Sequence, residues 1–291
     1  MLHGTFTAII TPFRDGKVDE AAWTHLIERQ IAEGVHGLAP CGTTGEAATL
    51  KLEERQRLVE LCVQVARGRV PVLAGAGSND TAEAIELTRH AKRVGADAAM
   101  VVAPYYNRPS QEGILAHFRA INEAVQLPLL VYNVPSRTGV DISVETMARL
   151  SALPNVIGCK DATGDLTRVA RHQRACAEGF LLFSGDDPTA LGFNAHGGVG
   201  CISVTANVVP GACAKMQEAC LAGDFVTARR IDQGLTELHR ALFVEPSPAP
   251  TKYALALLGL CREELRLPLL ALSESGREPV RAAMRLAGCD V

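Results

Sequence analysis

Asn155-Val-Ile-Gly-Cys-Lys160 is a short apolar run that closes on a lysine. Asp161-Ala-Thr-Gly164 then turns the chain into residues 166–177, where apolar side chains recur at helical spacing. A buried-type run, a polar end and an amphipathic stretch together make one β/α unit. A lysine that closes a buried strand cannot easily keep its charge away from water, so neutral amine becomes available to attack a carbonyl. That is how a Schiff-base enzyme is built. A lone strand-end lysine, however, more often sends its head into solvent, and the rest of the sequence has to separate the two readings.

The same unit repeats on both sides. Candidate strands fall at 5–11, 37–41, 70–74, 98–102, 128–132, 156–160, 181–184 and 199–203, with helical patterns between them such as 53–66, 81–94 and 111–125. Eight β/α repeats without a linker or compositional break predict a (β/α)8 TIM barrel over residues 1–206, which carries the active site. From residue 207 to 291 the pattern is helical, at 210–221, 225–242, 251–258 and 278–286, interrupted by Glu245-Pro-Ser-Pro-Ala-Pro250. No flexible linker precedes this part, which predicts a C-terminal helical appendage packed on the barrel.

Composition excludes several classes. A chain of 291 residues with 47% hydrophobic and 21% charged residues has the make-up of a globular enzyme. Its net charge of -3 offers no general attraction to nucleic acid. The opening Met1-Leu-His-Gly-Thr-Phe lacks a cationic leader, and no apolar run approaches the ~20 residues of a membrane span, so a cytoplasmic protein is expected. Nine cysteines stand singly, in an odd number and without a Cys-x-x-Cys pair, which favours reduced thiols over disulfides or zinc. The histidines show no His-Glu-x-x-His spacing, and no catalytic metal is expected.

A parallel barrel carries its chemistry on the loops after its strands, and polar residues do collect there. Gly42-Thr-Thr-Gly-Glu46 follows the second candidate strand, Pro104-Tyr-Tyr-Asn107 the fourth, and Asn133-Val-Pro-Ser-Arg-Thr-Gly139 the fifth. Alternation along the sixth puts Val156, Gly158 and Lys160 inward, with Gly158 leaving space beneath the amine and Ile157 and Cys159 facing the helices. Tyr132, at the end of the adjacent strand, shares that interior face and can carry protons for carbinolamine formation and dehydration. The hydroxyls and amides around Thr43 and Thr44 suit a carboxylate and a proton relay, or else the threonines cap the following helix. Arg137 stands where a guanidinium can grip a substrate carboxylate, or remains a solvated loop residue. Gly75-Ala-Gly-Ser78 has neither dinucleotide nor P-loop spacing and reads as a tight turn.

Through Gly42-Thr-Thr-Gly-Glu46, Tyr132-Asn-Val-Pro-Ser-Arg-Thr-Gly139, Lys160-Asp-Ala-Thr-Gly164 and Ser184-Gly-Asp-Asp187, the chain resembles the dihydrodipicolinate synthase family, within the wider pyruvate-dependent aldolases. The resemblance runs essentially end to end. It implies that Lys160 forms an imine with pyruvate, whose enamine attacks L-aspartate 4-semialdehyde to give 4-hydroxy-tetrahydrodipicolinate in lysine and diaminopimelate biosynthesis. Tyr132, Thr43 and Tyr106 match the family's proton relay, with Tyr106 coming from a neighbouring subunit. Thr44 and the backbone near Gly185 and Ile202 would hold the pyruvate carboxylate or frame the pocket, and Arg137 would bind the semialdehyde carboxylate. No organic cofactor is implied.

Sialic-acid lyases and sugar-acid aldolases share the fold, the lysine and the tyrosine, but generally lack the arginine; a polyol substrate asks instead for neutral hydrogen-bonding partners. A non-catalytic metabolite-binding oligomer is the alternative from another class. The resemblance further implies a homotetramer of two tight dimers, with a dimer left open. Asn79, Glu83 and Tyr105 match the family's allosteric lysine pocket, whereas Leu52 and Arg55 depart from it. A fixed charge at Arg55 would repel a lysine ligand nearby, so weak or absent feedback inhibition is expected.

Overall fold

The computed structural model describes residues 2–291. Strand β1 (Gly4–Thr7) leads into a short antiparallel hairpin, β2 (Phe13–Arg14) and β3 (Lys17–Val18). Then follow β4 (Gly37–Leu38), β5 (Leu73–Gly75), β6 (Ala98–Val102), β7 (Leu129–Asn133), β8 (Val156–Asp161), β9 (Leu181–Ser184) and β10 (Gly200–Ser203). Apart from the hairpin, the strands form one eight-stranded parallel sheet in the order β4-β1-β10-β9-β8-β7-β6-β5. The remaining seam closes where Leu38 bridges Val72 and Gly75 N donates to Pro40 O at 2.9 Å. The result is the expected (β/α)8 barrel.

Around it lie α1 (Glu20–Ala32), α2 (Leu52–Ala66), α3 (Thr81–Val94), α4 (Gln111–Ala124), the single turn α5 (Pro135–Thr138), α6 (Val144–Ser151), α7 (Thr167–Ala175) and α8 (Ala190–Ala195). The C-terminal helices are α9 (Pro210–Leu221), α10 (Phe225–Ala241), α11 (Ala249–Leu257) and α12 (Glu274–Leu286). Side-chain caps start many of them: Asp19, Asp80, Ser110, Ser143 and Asp224 each accept a first-turn backbone N–H. Among the described residues, no helix is long and apolar enough to cross a membrane, and all nine cysteines are free.

Several element ends depart from the sequence expectations, among them the third strand, which runs Leu73–Gly75 rather than 70–74, and three others have a local reason. The first strand stops at Thr7 because the Asn207 side chain takes over the backbone beyond it, with Ile10 N donating to Oδ1 at 3.1 Å and Nδ2 donating to Ala8 O at 2.9 Å. The second stops at Leu38, and a left-handed Cys41 (φ 56°) soon turns the chain aside. Helix α12 begins at Glu274 rather than 278, so Pro279 lies inside it, while the residue before the helix, Ser273, is held by Glu245.

The sheet buries both faces, as parallel strands between a filled interior and a helical shell must. Phe6, Met100, Leu130, Tyr132, Phe183 and Ile202 meet inside, with Phe6 and Phe183 edge to face at 5.6 Å. Val101, Leu129, Val131 and Cys159 face the helices. The expected alternation of β8 fails at its start. Leu129 pairs with Val156 but Leu130 pairs with Gly158, so Ile157 is an extra residue, a bulge. Val156 therefore joins the outer layer and Ile157 packs against the inner one, while Gly158 and Lys160 keep their inward side. The C-terminal helices are tied to the barrel by buried polar contacts, including Thr5 Oγ1 to Cys213 O on α9 at 2.9 Å and the 2.7 Å contact between Thr205 Oγ1, just after β10, and His239 Nδ1 on α10.

Two shell histidines make the fold sensitive to acid. Burial pushes His117 on α4 and His172 on α7 down to about 4 from an ordinary 6.5, so both are neutral in the folded protein. The unfolded chain takes up those protons below its own higher pKa, so their contribution is complete above about pH 6.5 and is lost as pH falls towards 4. Urea midpoints should fall progressively through that window. His117→Gln, which can still meet Thr81 Oγ1, should make the fall shallower; an unchanged slope would exclude His117 as a source.

Candidate active site

Strands β7 and β8 set Tyr132 and Lys160 directly opposite each other. Both are 5% exposed, and Lys160 Nζ lies 4.2 Å from the centroid of the Tyr132 ring. A primary amine and a phenol thus share the upper end of the barrel interior. The glycine that makes room for the lysine is Gly185, not Gly158. A Cβ on Gly185 would come within 2.8 Å of Lys160 Cε, whereas one on Gly158 would strike Leu181 O at 2.3 Å. Gly185 N also donates to Asp161 O at 2.7 Å, which holds the glycine against the lysine stem. Ile202, 1% exposed, belongs to the apolar floor with Phe183.

The Gly42–Glu46 segment is bracketed by two left-handed non-glycine residues, Cys41 (φ 56°) and Glu46 (φ 55°), a conformation that persists only when its surroundings impose it. Gly45 O accepts from Thr11 Oγ1 at 2.7 Å. Glu46 Oε1 lies 2.5 Å from Lys252 Nζ, with neither side chain accessible to solvent. Lys252, on α11, also donates to Glu264 O at 2.7 Å and sits 4.1 Å from the centroid of the Phe13 ring. Burial lowers the pKa of Lys252, and the Glu46 carboxylate opposes that shift. The loop carrying Thr43 and Thr44 therefore rests on a buried ion pair whose lysine is supplied by α11. The threonines do not cap the next helix, since α2 starts at Leu52 and Lys51 N donates to Glu54 Oε2 at 2.9 Å.

A cavity of about 360 Å³ opens above, and Thr43, Tyr132, Tyr105 and Arg137 all line it, together with Cys41 and Met100. Ser247, Pro268 and Leu269 from the C-terminal part complete its wall. Arg137 is exposed and stands on α5, so its loop is a helical turn, ended by left-handed Gly139 (φ 73°). Lys160, Thr44, Gly185 and Ile202 are not among the residues that line the cavity. Tyr106 is turned away, 89% exposed on a left-handed backbone (φ 71°).

Asn79 and Glu83 lie beside the cavity. Asn79 Nδ2 donates to Tyr105 O at 3.1 Å, and Glu83 accepts from Ser78 Oγ at 2.5 Å. Arg55, 6% exposed, reaches Glu83 at 3.6 Å and donates to Gly77 O at 3.0 Å and Gly75 O at 3.3 Å, which pins the Gly75–Ser78 turn.

Sequence reasoning alone missed Lys252, Asp141 and Arg168. A lysine within the otherwise apolar 249–258 is a signal that could have flagged the first; Asp141 and Arg168 look like ordinary surface charges until the fold brings them together.

A model of the "Dihydrodipicolinate synthetase family" matches residues 1–287. The chain is 64% identical over 288 residues to the 4-hydroxy-tetrahydrodipicolinate synthase of Phenylobacterium zucineum, covering 99% of this chain and 98% of that one. It is 60% identical to the enzyme of the same name from Parvibaculum lavamentivorans, covering 99% of both. Among solved structures, the chloride-inhibited dihydrodipicolinate synthase of Acinetobacter baumannii, complexed with pyruvate, superposes with a TM-score of 0.97 at 45% identity, over 99% of each chain.

The ion pair beneath the Thr43 loop gives a stability test. Lys252→Met strands a buried carboxylate and should cost about 3–5 kcal/mol. Adding Glu46→Gln should restore much of that loss. Denaturant titrations of the single and double variants check it; equal losses in both would mean that the two groups do not interact.

Proposed function

The chain belongs to the dihydrodipicolinate synthetase family, and from that premise we propose that Lys160 is its imine-forming residue. The protein is a lyase of lysine and diaminopimelate biosynthesis that condenses pyruvate with L-aspartate 4-semialdehyde to give 4-hydroxy-tetrahydrodipicolinate. The observation that carries the site assignment is the Lys160 amine over the Tyr132 ring, in register at the top of a closed, apolar barrel.

In this reading the Lys160 amine adds to C2 of pyruvate, and the carbinolamine loses water to form an imine. Tyr132 delivers the proton that leaves with the hydroxyl. Loss of a C3 proton gives the enamine, which forms the new bond to the aldehyde carbon of the semialdehyde. The substrate's own amine then attacks the imine carbon, closes the ring and releases Lys160. The lysine supplies the electron sink, and no cofactor is needed. Thr43, on the cavity wall with Tyr132, passes protons between the phenol and the outside. Thr44, Gly185 and Ile202 frame the pyruvate end. Arg137, exposed at the rim, takes the semialdehyde carboxylate, which favours a short anionic aldehyde over a sugar.

Tyr106 completes the relay in a second copy of the chain; its outward direction supports this, since it cannot serve its own cavity from there. A dimer is then the smallest competent unit, and a tetramer of two such dimers is the assembly we propose. Free thiols suit a reducing compartment, and we place the enzyme in the cytoplasm. Asn79, Glu83 and Tyr105 form the proposed effector pocket, in which Arg55 already sits against Glu83. A ligand ammonium would compete with a guanidinium that is held in place, which supports weak or absent inhibition by lysine.

Purified protein given both substrates and a coupled reductase should turn over. Lys160→Ala should abolish both turnover and borohydride trapping of pyruvate, and Tyr132→Phe should lower kcat by about 10²-fold or more. Trapping that survives Lys160→Ala would overturn the assignment. Lysine added at submillimolar concentration should leave more than half of the activity; half-inhibition there would refute the role given to Arg55.

A further inference from the structure

Behind the reacting pair lies a second one. Asn133 and Asp161 are the next register partners after Tyr132 and Lys160, so alternation turns them outward, towards the helical shell. They are 0% and 3% exposed. Asn133 Nδ2 donates to Asp141 Oδ1 at 2.7 Å, and its Oδ1 accepts from Ile142 N at 3.1 Å. Asp161 Oδ1 accepts from Thr163 N at 2.9 Å and Thr163 Oγ1 at 2.6 Å.

Arg168, on α7 and 7% exposed, joins the two halves. Its Nε donates to Asp161 Oδ2 at 2.9 Å, its Nη1 to Asp141 Oδ2 at 3.1 Å and its Nη2 to Ile142 O at 2.8 Å. All three nitrogens of one planar group are used, in directions that a lysine ammonium cannot reproduce. The path from Tyr132 to Lys160 around the back of the wall is therefore continuous: the peptide bond to Asn133, then Asp141, the guanidinium and Asp161, and from Asp161 the peptide bond back to Lys160.

We infer that Arg168 is a positioning residue for the reaction, a crossbar outside the barrel wall that fixes the separation of the Lys160 amine and the Tyr132 phenol inside it. The inference rests on Lys160 being the imine-forming residue. Misplacement by about 1 Å can cost about 10²-fold in rate, so loosening either strand end should be felt in the chemical step. Binding of pyruvate should feel it far less.

The test measures single-turnover imine formation, quenched with borohydride, across pyruvate concentrations for wild type, Arg168→Lys and Asp141→Ala. The Asp141 side chain is 46% exposed, so that variant should fold even if Arg168→Lys does not. The saturating rate should fall about 10-fold or more in Arg168→Lys and several-fold in Asp141→Ala, with half-saturation by pyruvate changed by less than about 2-fold. A lower melting temperature with wild-type saturating rates in the folded variants would make the network structural only and overturn the inference. Wild-type protein that traps no pyruvate on Lys160 would remove the site assignment and this inference with it.

Discussion

The register between β7 and β8 is the constraint on which the rest depends. Parallel strands commit each side chain to one face, and a slip by one residue would exchange every face. Here the slip is absorbed early, at Ile157, so that the strand ends meet with Tyr132 opposite Lys160 and Asn133 opposite Asp161. Reactive groups then fall inside and their fastenings outside. The bulge belongs to the site as much as the lysine does, because it sets the phase of all that follows it in the strand.

Charge inside the molecule is organised on the same plan. An isolated buried ion is costly, and a buried pair is close to neutral only when its remaining donors and acceptors are met. Lys252 satisfies this with Glu46, the Glu264 carbonyl and the Phe13 ring. Arg168 satisfies it with two carboxylates and a carbonyl. Asp187 satisfies it without a cation, accepting from Ser203 Oγ, Val204 N and Thr205 N and so fixing the chain after β10. Each cluster ties a loop at the barrel mouth to something behind it. The apolar interior keeps the amine and phenol apart from bulk water, and these polar clusters keep the wall around them from relaxing.

The barrel and the reacting residues are legible in the sequence because they depend on local periodicity and on what stands at the end of each apolar run. Lys160 and Tyr132 declare themselves in that way. The bulge does not, since Val156 to Lys160 reads equally well as unbroken alternation. Nor does the choice between Gly158 and Gly185: a sequence shows where side chains are missing but not which neighbour fills the gap. Arg168 and Lys252 are hidden for a different reason. Their acceptors lie on other elements, and only the closed fold shows that these two charges have left the surface.

The Glu46–Lys252 pair has a consequence for the order of assembly. Six of the eight parallel strands, all but β1 and β4, are made after the loop that Glu46 ends, yet the counter-charge for that loop arrives with α11, after the last strand. As the chain emerges during synthesis, the strand pairings can form in sequence while Glu46 still needs water. The Thr43 loop can take its left-handed turn in a dry setting only when the final helices dock. The nascent barrel is thus complete in outline before it is competent, and a helix made after every strand is the one that closes the first loop of its active site.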